Sequence, residues 1–183
     1  MPSVLLMLFA AVISFLSCAR VAAAQDVSLG PAVTRADVAL TFKGDLGPPQ
    51  VIDGAGVAGQ PVFAPAERGS FFLALDVRGA RGNTNGFAPG EFVPYLTVTY
   101  ALTPTAGGPA VTGQLHPCVD RAGLRYGNNV HTAGSGPFRL TITVEPPIKT
   151  GFGRHTDMET GVRRWWSPLQ LEWVVDPSRV ARR

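Results

Sequence analysis

Cysteine is scarce in this chain, with Cys18 and Cys118 the two thiols among 183 residues. Cys18 sits inside an N-terminal apolar run, so a chain that sheds that run keeps one thiol and cannot close an internal disulfide. Charge is also sparse, at 16% Asp, Glu, Lys and Arg and a formal net charge of +3, too little for a nucleic-acid footprint. Arg179, Arg182 and Arg183 make a small basic end that reads as a solvated, frayed terminus. No long stretch repeats with helical period, which excludes a helix bundle. The usual enzyme signatures are missing as well: no G-x-S-x-G elbow, no H-E-x-x-H, no C-x-x-C and no phosphate-binding G-x-x-x-x-G-K-[ST] loop. The sequence therefore reads as that of a non-enzyme.

What is present begins with an export signal. The apolar run from Val4 to Cys18 is broken only by Ser14 and Ser17, and it is shorter than the about twenty residues a membrane span requires. Ala22 and Ala24 supply the small residues a signal peptidase needs before its cut. Residues 1–24 are thus expected to be a signal peptide, with the mature chain starting near Gln25 and working outside the cytoplasm. Acylation at Cys18 ranks second, because Phe15-Leu16-Ser17 is a poor lipoprotein triplet.

Residues 25–183 read as a single domain. Gly and Pro punctuate it at short intervals, as expected of many short strands. Alternation predicts strands over Ser70–Val77, Tyr95–Leu102, Phe138–Val144 and Leu169–Val175, with Leu96, Val98 and Tyr100 on one face, and likewise Phe138, Leu140, Ile142 and Val144. Turns are expected at Asn85-Gly86 and Gly107-Gly108-Pro109, and a strand or two within the Gly-, Pro- and Ala-rich stretch Leu46–Arg68. The fold class is all-β, an immunoglobulin-like β-sandwich. Pro146–Pro168 separates two predicted strands without regular patterning, and a connection of that length in a compact domain is functional or disordered. Trp165 and Trp166 argue for order, and Thr156 with Glu159 has capping-box spacing that could start one helical turn.

Beyond the export signal, the candidate soft or borderline metal ligands are His116, His131, His155, Cys118 and Met158. His116 and Cys118 flank Pro117, and two positions apart on an extended chain they point to the same side, a nitrogen and sulfur pair suited to copper or zinc. The plainer reading makes His116 a strand-end residue, Cys118 a small core hydrophobe and His155 a loop residue bonded to Asp157.

Three stretches together resemble the periplasmic iron-transport protein family of bacteria: Asn85–Tyr100 (NGFAPGEFVPYLTVTY), Tyr126–Val130 (YGNNV) and Gly151–Trp166 (GFGRHTDMETGVRRWW). The resemblance runs over residues 70–175. It implies an immunoglobulin-like sandwich, a homodimer, a membrane iron permease as partner, and copper or iron as the bound ion. Family members bind metal through an H-x-E pair, the second Met of M-P-M, the His of P-H-Y-G and the His of G-F-G-R-H. In this chain the resemblance carries over only the last, as His155; the other positions fall on Phe72 and Ala74, on Cys118 within His116-Pro117-Cys118, and on Arg125. Phe72 and Ala74 offer no lone pair, and Arg125 is a permanent cation. The sequence thus leaves two expectations. One is a periplasmic component of metal-ion uptake with a rearranged site of His155, Cys118 and His116, Arg125 having swung to Asp120 or Asp157. The other is a metal-free interaction or dimerisation module.

Overall fold

A computed structural model describes residues 26–54, 59, 62–134 and 136–180. The expected signal peptide and Cys18 lie outside them. The described residues form nine strands: β1 (Val27–Ser28), β2 (Val33–Arg35), β3 (Leu40–Gly47), β4 (Phe71–Gly79), β5 (Thr97–Pro104), β6 (Val111–Asp120), β7 (Gly123–Val130), β8 (Phe138–Glu145) and β9 (Leu169–Val175). Among the described residues, helical structure is confined to short 3-10 turns such as Ala66–Arg68, Pro147–Thr150 and Pro177–Arg179. The strand order is β1-β3-β4-β7-β6-β5-β8-β9, with β2 also on β3, and every pairing is antiparallel.

The two layers come from a strand that changes partners. The first half of β6, through Leu115, pairs with β5, and the second half, from His116 to Asp120, pairs with β7. The sheet therefore folds over itself, and the apolar faces of both halves meet. Leu40, Phe42, Leu73, Leu75 and Val77 from one layer and Val98, Leu102, Leu140, Ile142 and Val144 from the other are fully buried there. Their spacing of two is what places them on one face of each strand. Pro117 is tolerated within β6 because this half has a neighbour on one side only, so the missing N–H interrupts no second ladder.

The four strands read from alternation are present, each within two residues at its start and end. The expected strand within Leu46–Arg68 is not: β3 closes at Gly47, and the described residues from 48 to 70 form no further strand. That connection lies over the outside of the sheet. Asn129 holds it there, accepting from the Gln50 amide at 2.8 Å and donating to the carbonyls of Gln50 at 2.8 Å and Ala64 at 2.7 Å. Asn129 is 3% exposed, so these bonds have no ready solvent substitute. Asn129→Ala should lower unfolding free energy by about 2–3 kcal/mol, measured by urea titration, as backbone groups lose their buried partner.

Tyr126 ties β7 to the loop before β5. Its buried hydroxyl donates to the Val93 carbonyl at 2.8 Å and accepts from the Leu96 amide at 3.0 Å. Tyr95, between them, takes a left-handed φ of 60°, a conformation a bulky residue adopts only when its neighbours fix it.

Candidate metal centre

Because Leu115 faces the core, alternation sends His116, Cys118 and Asp120 to the outer face of β6. Register then fixes their neighbours. His116 stands opposite Gly127 and Cys118 opposite Arg125 on β7, while Ala74 on β4 stands on the other side of Gly127. His116 is therefore inside a strand and not at its end, and Cys118 is on the outer face and not in the core.

His116 and Cys118 share a cavity of about 640 Å³ roofed by Gln50–Gly54, Val62 and Phe63. The Phe63 ring meets the imidazole edge-on, with centroids 5.6 Å apart. Burial lowers the His116 pKa, so the ring is neutral at neutral pH and keeps a lone pair. Burial pushes the Cys118 thiol up to about 11, against the pull of the Arg125 charge and with a smaller push from Asp120. Cys118 is thus a protonated thiol at rest.

Arg125, which the resemblance sets against a family ligand, is a cation held by two carboxylates. Its Nη2 lies 2.6 Å from Asp120 Oδ2 and its Nη1 3.5 Å from Asp26 Oδ2, with the side chain 13% exposed. The other oxygen of Asp120 accepts from the amides of Ala122 at 2.7 Å and Gly123 at 3.2 Å, closing the β6–β7 turn. Both Asp120 oxygens are therefore engaged. Phe72 and Ala74 are buried, and the Phe72 ring lies directly over Gly127, where any Cβ would collide with it. The residues that the resemblance sets against the family ligands do not suit a divalent ion: Phe72 and Ala74 lack lone pairs and Arg125 carries a fixed positive charge. Among the described residues, no three His, Cys, Asp or Glu side chains group as metal ligands.

His155 stands apart from the β6 pair. It lies in the connection between β8 and β9, 79% exposed, with Nδ1 3.3 Å from Thr160 Oγ1 and 3.8 Å from Asp157 Oδ2. The expected helical turn at Thr156 is absent. Asp157 is the capping residue instead, its carboxylate accepting from the amides of Glu159 at 3.0 Å and Thr160 at 2.6 Å, and the chain makes a turn. Those bonds hold the Asp157 carboxyl below the usual range. Asp157 precedes its partners by two and three residues, an Asx-turn spacing that the sequence contained and the Thr156–Glu159 pairing obscured.

The three stretches that carry the family resemblance meet in space. Asn85 donates to the carbonyls of Arg163 at 2.9 Å and Arg164 at 3.0 Å. Phe152 stacks on Tyr95 at 4.9 Å, and Trp165 packs against Phe87 at 6.1 Å and Phe152 at 6.2 Å. Tyr126 joins through its hydroxyl bonds to Val93 and Leu96. Asn85 and Tyr126 hold these stretches together through hydrogen bonds that hydrophobic patterning alone does not reveal.

Known proteins share this arrangement. A model of the Fe2+ transport protein family matches residues 51–177. A UPF0423 protein of Brucella abortus is 38% identical over 141 residues, 70% of this chain and 78% of that protein. Among solved structures, a copper-bound variant of FetP from uropathogenic Escherichia coli superposes with a TM-score of 0.75 at 33% identity, covering 83% of this chain and 97% of that one. Copper-reconstituted P19 from Campylobacter jejuni gives a TM-score of 0.74 at 28% identity, covering 83% and 96%. By sequence and by fold together, this chain belongs to the Fe2+ transport protein family.

Proposed function

We propose that the protein is a periplasmic component of metal-ion uptake, a non-catalytic carrier or accessory that works beside a membrane iron permease. Family membership carries this reading, with the retained contact between the Asn85 loop and the Gly151–Trp166 loop as its structural counterpart. Its ion differs in kind from a divalent one bound at the family positions. His116 and Cys118 face one cavity, the imidazole neutral and the thiol able to become a thiolate on metal binding. Such a pair favours a soft ion of low charge, monovalent copper above all, which also suffers less repulsion from Arg125. His155 lies outside that cavity, and a homodimer would allow a second copy to supply it.

A competition titration with a Cu+ chelator tests this reading. One ion bound per chain, with affinity at least about tenfold lower in Cys118→Ser, is expected. No uptake of Cu+ with the fold intact would leave the second reading, a metal-free dimerisation or docking module. The observation favouring that alternative is the Arg125–Asp120 pair, which already fills a ligand position with a resident cation.

A further inference from the structure

The connection between β8 and β9 walls a second cavity, of about 840 Å³, separate from the one that His116 and Cys118 face. Phe152, Trp165 and Trp166 supply flat aromatic walls, and the charged side chains around it are Glu145, Lys149, Arg154 and Arg164. Lys149 Nζ lies 2.6 Å from the buried Glu145 Oε2, an ion pair that offsets the two charges although it is not aligned as a hydrogen bond. Arg154 spends one Nη on the Val162 carbonyl at 2.6 Å, and Arg164 makes no ion pair among the described residues. No other carboxylate lines the space, so two guanidinium charges remain uncompensated.

A third feature points to a ligand. The Nε1–H of Trp166 is buried and has no acceptor. An unmet buried donor costs about 1–3 kcal/mol, a cost that an acceptor brought in by a guest would remove. Aromatic walls with a few polar groups are the usual make-up of a small-molecule site. An inorganic anion would leave the walls unused, and a neutral ring would leave the guanidinium groups and the indole N–H unanswered. We propose that this cavity binds a small planar organic anion, an aromatic carboxylate, with its ring against Phe152 and Trp166 and its carboxylate taken by Arg164, Arg154 and the Trp166 indole N–H. Guanidinium and carboxylate match as planar forks, which gives the site its orientation as well as its charge.

The test is calorimetry of the purified protein with naphthalene-2-carboxylate, with naphthalene-2-methanol as the neutral match. One site per chain with a Kd below about 1 mM is expected, and binding of the alcohol at least about tenfold weaker. Arg164→Gln should weaken carboxylate binding by about tenfold, and Trp166→Phe, which keeps a ring and removes the donor, by about fivefold. In 15N spectra the indole N–H of Trp166, identified by its absence in Trp166→Phe, should move most among the tryptophans. Equal binding of acid and alcohol, unchanged affinity in Arg164→Gln, or no saturable heat up to about 10 mM would overturn the proposal. So would affinity that falls as protein concentration rises, since that would make a second copy the occupant.

Discussion

Replacing Ala74 with Glu and Arg125 with His is expected to raise the affinity for Cu2+ at least about a hundredfold above that of the unaltered protein, measured by calorimetry at neutral pH. Ala74 and Arg125 lie on the same outer face of adjacent strands, two residues apart in register through Gly127, and Arg125 stands opposite Cys118. The new imidazole would therefore stand beside the Cys118 sulfur, and the new carboxylate across Gly127 from His116. Removing the guanidinium also releases Asp120 and Asp26, so the local charge changes from repelling to attracting a divalent ion. Phe72 is best left in place: it is 1% exposed and its ring seats on Gly127, so opening that contact risks the sheet. If the double variant folds normally and Cu2+ affinity does not move, the Arg125 ion pairs are not what bars the ion, and the fit argument built on them fails.

The β8 and β9 strands were legible because apolar and polar residues alternate along each; Leu169, Leu171 and Val175 are buried while Gln170, Glu172 and Val174 are exposed. Strand β7 escaped notice for a physical reason. Its outer face is covered by described residues of the connection after β3, so Gly127 and Asn129 are buried like their core-facing neighbours and the period-two signal vanishes. β6 was hidden by its polar residues and by Pro117, tolerable only because the strand is at an edge there. The juxtaposition of His116 and Cys118 was legible from their spacing in an extended chain. Their partners were not: which β7 residue faces Cys118 depends on register, a property of long-range pairing that local pattern does not encode. The pairing of Arg125 with Asp120 was foreseeable by charge, whereas its second partner, Asp26, is 99 residues away in sequence.

Cys118→Ser is expected to weaken Cu+ binding at least about tenfold, and the pH dependence should identify the sulfur as the cause. The folded thiol has its pKa pushed up to about 11, above the ordinary cysteine value, chiefly by burial. Binding as a thiolate must expel that proton, so below about pH 11 the affinity should rise by close to tenfold for each pH unit and level off above it. The serine variant, with no thiol proton to lose, should show a flat profile over the range from neutral pH to 10 apart from the titration of the competing chelator. His116→Ala should also weaken binding but leave the slope intact, because burial lowers the His116 pKa and the imidazole is already neutral across that range. A wild-type profile without slope would mean that no proton leaves Cys118 when the ion arrives. Cu+ would then be held elsewhere, and the β6 pair would revert to a covered strand face whose cysteine is simply a small, half-buried thiol.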